Sequence, residues 1–159
     1  MKKIILILLF SVSCYSQATN FIVSKEKLVW ENVFISNETN IPGIIARHSR
    51  LTILSSANTI YTGKATDLKN TCPGTSDFIK DDLSFNFEIE LRDGKYRVTI
   101  SNLVFCNKVK DKKINTPAEK YFIEKSGLKP GTVMQTDLGC LENYFIKLFS
   151  ARMTYKNRS

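Results

Sequence analysis

Within residues 83–105, apolar and polar side chains alternate from Phe85 to Leu91 and again from Tyr96 to Ser101. Phe85, Phe87, Ile89 and Leu91 are separated by Asn86, Glu88 and Glu90. After Asp93-Gly94, Tyr96, Val98 and Ile100 are separated by Arg97 and Thr99. A period of two predicts half-buried strands. The Asp-Gly pair accepts the positive φ angles of a type I′ hairpin turn. A two-residue turn sets Arg92 opposite Lys95. Counting back puts Leu91 opposite Tyr96, Ile89 opposite Val98 and Phe87 opposite Ile100. The apolar residues then share one face, and Glu90 faces Arg97 on the other, an attractive pair. A one-residue slip would turn every apolar side chain to the wrong side.

Residues 27–36, "KLVWENVFIS", are rich in β-branched and aromatic types and predict a strand. "IPGIIARHSRL" holds a short helix, with Ile41, Ile44, Ile45 and His48 near helical spacing. "TILSSANTIYTGKATDL" predicts one or two strands, and "KNTCPGTSD" a loop. In "NTPAEKYFIEKSG", Thr116 and Glu119 form a capping box, Pro117 suits a first turn and Gly127 a stop. That predicts a helix over 117–126. A second helix, over 137–154, follows from the stripe Leu138, Leu141, Phe145 and Leu148. The stripe needs a sheet to cover, and the hairpin supplies one. The expected architecture is α+β, an antiparallel sheet of about 4–5 strands with helices packed on one face and the other face open.

The chain opens differently. Lys2 and Lys3 precede an unbroken apolar run over residues 4–10, and small residues lead to Ser16. This is the layout of a secretory signal peptide. The run is shorter than the ~20 residues that span a bilayer. One processing reading cuts between Ser16 and Gln17. The other takes "SVSC" as a lipobox and keeps Cys14 as a lipidated first residue. Ser11 stands where a lipobox has an aliphatic residue, so the cut before Gln17 is preferred. The expected organisation is a leader over 1–16 and one domain over 17–159, periplasmic or secreted, or lipid-anchored in the envelope if Cys14 is kept. A membrane association then depends on Cys14 alone.

The formal charge is +8. Removing Lys2 and Lys3 takes 23 Lys and Arg to 21, against 15 Asp and Glu, a balance of +6. A basic excess attracts nucleic acid, anionic lipid or acidic polymers. Here it is spread along the chain. Its densest cluster, "NKVKDKK", reads as a solvated loop, and an exported protein meets little nucleic acid. No nucleic-acid partner is expected.

Cys72, Cys106 and Cys140 are evenly spaced, yet "NTCPGTS", "LVFCNKV" and "LGCLENY" share only the cysteine, so they mark no repeat. Export permits disulfides, and three thiols leave at least one unpaired within the chain. Cys106 falls level with Asp81 at the base of the hairpin, where the "TCPGT" loop also leads. A Cys72–Cys106 bridge is the candidate, against three reduced thiols.

His48 is the lone histidine, with no nucleophile elbow around it. The cysteines lack C-x-x-C spacing, and no P-loop or G-x-G-x-x-G is present. Asp81 and Asp82 read as the polar lead-in to a strand, and Trp30 as a core residue under a helix. No catalytic residue, metal ligand or cofactor is expected.

Residues 27–106 also resemble a known family. A strand with a Trp, a short helix, "IYTGKATDL" and the hairpin "FEIELRDGKYRVTISNL" occur in that order. Together they resemble a bacterial family of exported domains of unknown function with a TATA-binding-protein-like fold. The resemblance implies that fold, with a longer helix after the first strand than "IPGIIARHSRL" allows. It implies no activity, and likeness to the fold of a DNA-binding protein does not imply DNA binding.

The function expected is therefore an exported, non-enzymatic binding or accessory module. It would meet an envelope component through its sheet, at the polar hairpin positions Glu88, Glu90, Arg97 and Thr99, or through an edge strand. A small hydrolase or transferase with an unread site is the alternative. A binder of an acidic polymer is the second.

Overall fold

The computed structural model describes residues 19–110 and 112–151. The expected leader, with Cys14, Ser16 and Gln17, lies outside the described residues, as does the tail from residue 152.

Seven antiparallel strands make one sheet. They are β1 (Phe21–Ser24), β2 (Lys27–Ile35), β3 (Leu51–Ala57), β4 (Ile60–Leu68), β5 (Asp82–Arg92), β6 (Lys95–Val109) and β7 (Lys112–Pro117). Their order is β1-β2-β6-β5-β4-β3, with β7 paired to the far half of β6. The helices are α1 (Ile41–Ala46), α2 (Glu119–Phe122) and α3 (Thr132–Phe149), and a single 3₁₀ turn spans Asp77–Lys80. A small separate ribbon pairs β8 (Ile123–Glu124) with β9 (Gly127–Leu128).

The architecture is α+β as expected, with more strands than the four or five anticipated. The added strands are short or charged. β1 folds onto β2 through Lys25 and Glu26, both at positive φ, 48° and 62°. Of the lysines that suggested a loop, Lys108 falls in β6 and Lys112 and Lys113 in β7. The capping-box helix over 117–126 is replaced. Thr116 sits in β7 opposite Phe105, and only Glu119–Phe122 turn as helix. Strand pairing with β6 outcompetes a local cap, which is worth only about 1 kcal/mol. α3 begins at Thr132, not 137, and ends at Phe149, short of 154.

The hairpin register is the one expected from the alternation, with Leu91 opposite Tyr96, Ile89 opposite Val98 and Phe87 opposite Ile100. Its turn differs. Gly94 has φ 67°, but Asp93 is not in the left-handed region, so the turn is not type I′.

The helix side of the sheet holds the core. Trp30, Phe85, Phe87, Ile89, Tyr96, Val98 and Ile100 are all buried. Leu138, Leu141, Phe145 and Leu148 of α3 cover them, as the stripe predicted. Phe145 is the centre, with ring centroids 5.4 Å from Trp30 and 5.3 Å from Phe85. Burying one such ring contributes about 1.5–3 kcal/mol. Gly63 of β4 is obligatory here. A Cβ would enter the Phe87 ring and the Thr52 carbonyl. That explains the glycine of "IYTGKATDL". Pro42 suits the first turn of the short α1, which is capped when Gly43 N–H donates to Asn40 Oδ1 at 2.9 Å.

Candidate functional site

The other side of the sheet carries the candidate site. On β5 it presents Asn86, Glu88 and Glu90; on β6, Arg97 and Thr99. The ladders extend these positions sideways into two rows. One runs Ile60, Glu90, Arg97, Val33 across β4, β5, β6 and β2. The next runs Thr62, Glu88, Thr99, Glu31. The four residues anticipated from the hairpin alone are thus brought together as a block in the middle of the face.

Arg97 is the hub. Its guanidinium donates to Glu90 at 2.5 Å and lies 3.8 Å from Glu31, so it bridges three strands. Arg92 also donates to Glu90 at 2.7 Å. The Arg92 hydrogen bond, helped by Arg97, holds the Glu90 carboxyl below its usual range. Exposed pairs of this kind add little to stability, because water and salt screen them. Their main effect is to hold the charges in place.

Single aliphatic side chains stand among the polar ones around the charged block. Among the described residues seven large apolar side chains stay exposed. Five of them, Ile22, Val33, Ile35, Leu54 and Ile60, lie on this face or its rim. Ile35 is 81 % exposed and Leu54 61 %. Leu54 is the extra residue of a bulge in β3. It borders a shallow groove of about 360 Å³ with Thr62, Asn86, Glu88, Thr99 and Ser101. The aliphatic positions went unread in the sequence. Glu31, Val33 and Ile35 alternate with Trp30 and Phe34, a signal that marks them as the opposite face of β2.

The cysteine pairing is a correction. Cys72 bonds Cys140 of α3, with Cα atoms 5.7 Å apart, and Cys106 is a free, buried thiol. A bulge decides this. Asn102, at φ 50°, is an extra residue in β6 between Ser101 and Leu103. It shifts the register so that Cys106 lies opposite Asp82 rather than Asp81. One step turns the thiol from the helix side to the open side. There it meets Ser84 Oγ at 3.4 Å, near Asp67, which Lys113 holds at 2.5 Å. The Lys113 hydrogen bond keeps Asp67 below its usual range.

The loop carrying Cys72 is held a second way. Thr75 and Ser76 N–H groups donate to the buried Asp137 Oδ1 at 2.6 and 3.3 Å. His48 follows α1, half-buried. Burial and then Arg47 lower its pKa, against a hydrogen bond to the backbone of Leu148. Burial and then Asp82 raise that of Asp81, and burial and Asp82 push Tyr144 up to about 12. His48 and the thiol of Cys106 lie on different sides of the sheet and form no nucleophile–base pair. Among the described residues no three of His, Cys, Asp or Glu cluster as metal ligands. Among them, too, no helix is long and apolar enough to cross a membrane.

No protein family and no curated protein matches this sequence. Solved structures do. A TBP-like protein from Parabacteroides distasonis superposes with TM-score 0.50 at 15 % identity, over 79 % of this chain and 92 % of that one. A DUF4468 family protein from Bacteroides ovatus gives TM-score 0.47 at 16 % identity, over 82 % of this chain and 91 % of that one. At 15 % identity the likeness to the first is one of fold, and that fold is TBP-like, as the sequence resemblance implied.

Proposed function

We propose that the chain is an exported, non-enzymatic binding module that docks a partner on the open face of its sheet. The observation that carries this is the clustering of exposed aliphatic side chains around a fixed charged block. Exposed aliphatic side chains rimmed by polar ones are the make-up of an interaction surface. Arginine, the hub of this face, is one of the residue types enriched among interface anchors. Export is supported by the leader pattern and by the Cys72–Cys140 disulfide, a bond that persists in oxidising compartments.

The test replaces Glu90, Arg97 and Thr99 together with alanine and compares the proteins recovered by crosslinking in the native envelope. Loss of a crosslinked species is expected, with α3 surface variants retaining it. An unchanged set of species would remove the sheet face as the docking surface.

A further inference from the structure

The first row across the open face reads Ile60, Glu90, Arg97, Val33. A line between β5 and β6, parallel to the strands, cuts it into apolar–acid and base–apolar halves. Turn a second copy by half a revolution about that line and lay it face to face on the first. Ile60 of one copy then lies over Val33 of the other, and Glu90 over Arg97. Symmetry makes each contact twice. The second row reads Thr62, Glu88, Thr99, Glu31. The same operation puts Glu88 over Thr99 and Thr62 over Glu31, so each carboxylate meets a hydroxyl.

We propose that the open face pairs with the open face of a second copy of this chain, closing a two-fold symmetric dimer. This rests on the sheet-face reading above and names the occupant. The charge pattern selects the axis. Moved onto β5, the axis would stack Glu90 on Glu90 and Arg97 on Ile60. Moved onto β6, it would stack Arg97 on Arg97 and Val33 on Glu90. The position between β5 and β6 matches apolar with apolar and acid with base in that row. Val33 is 46 % exposed and Ile60 39 %, so both have surface to lose. Two stacked sheets lie about 10 Å apart, which these side chains can fill. Arg97 and Glu90 already pair within each chain. The second copy makes a ring of four alternating charges, stronger once water is excluded. Arg92 over Lys95, a like-charged approach, falls at the exposed turn end, where salt screens it.

Sedimentation of the purified, disulfide-intact chain over a range of concentrations tests this. The wild type should show a dimer mass at micromolar concentration. Arg97→Glu alone and Glu90→Arg alone should each sediment as monomers, because each stacks like charges twice. Mixing the two in equal amounts should restore a dimer, since every introduced charge then lies over its opposite. Circular dichroism checks that both variants fold. Should either not fold, Ile60→Lys, which leaves the ion pairs intact, should also give a monomer. A wild type that stays monomeric overturns the proposal, as do single variants that dimerise like the wild type or a mixture that remains monomeric. A monomeric wild type whose face variants still lose an envelope crosslink would overturn self-pairing while leaving the sheet-face reading intact.

Discussion

Tyr96 fastens the hairpin to the end of the long helix through Phe149. Its hydroxyl donates to the Phe149 carbonyl at 2.7 Å, and the Ala151 N–H donates back to the same oxygen at 3.0 Å. Tyr96 and Phe149 are buried, so the partners of the hydroxyl gain little from water when it is lost. Tyr96→Phe should cost about 1–3 kcal/mol by leaving them unpaired. Urea unfolding measures it. A loss below about 0.5 kcal/mol would mean that the corner is held by packing alone.

Gly63→Ala should be costly for a different reason. The new Cβ has to displace the Phe87 ring and the backbone of Thr52, and backbone yields poorly. Overpacking of this kind costs about 1–3 kcal/mol. Phe87→Leu in the same chain should recover part of the loss. Thermal melts of the single and double variants decide the point, and strict additivity would argue against the clash.

The Cys72–Cys140 bond spans 68 residues of sequence. Closing a loop that long stabilises by about 4 kcal/mol in the chain-entropy account. Cys140→Ser should lower stability by that order. Intact mass spectrometry without reductant reads the pairing directly. The unfolded mature chain should take one alkyl group, at Cys106, and three after reduction. The same spectrum reads the N-terminus. A mass starting at Gln17 is expected, and one starting at Cys14 with acyl chains would make the protein a membrane-anchored one.

His48 gives stability a pH dependence of known sign. Burial holds its folded pKa below the ordinary 6.5. The unfolded chain then binds the proton more readily, so the contribution is full above pH 6.5 and is lost as pH falls below it. Glu90 and Asp67 also have lowered values, but their losses come nearer their ordinary 4.5 and 3.8. Melting temperatures should therefore decline from pH 6.5 downward, and His48→Gln should flatten the upper part of that decline. A variant with the wild-type slope would assign the proton elsewhere.

Some of what was misread was visible. The apolar positions of β6 run 96, 98, 100 and then 103, 105. The skipped beat at Ser101-Asn102 is the bulge, and it predicts that Cys106 turns away from Cys72. The failed helix over 117–126 is of another kind. Its capping signals were genuine, and nothing local shows that β6 extends far enough to pair with Thr116.

The alternation of residues 83–100 and the stripe of α3 settle the hairpin register and the buried helix face, because a period of two or of 3.6 leaves one consistent way to bury the apolar set. Chain contacts close in sequence carry that information. The disulfide, the edge strands and the row Ile60–Glu90–Arg97–Val33 bring together residues from distant segments. Their neighbours exist only after β2 and β4 have taken their places on either side of the hairpin, and many pairings of short strands would satisfy the local pattern equally well. The packing of Trp30 and Phe85 under Phe145, and of Phe87 under Phe149, selects among them, and the open face follows as the side that this core leaves uncovered.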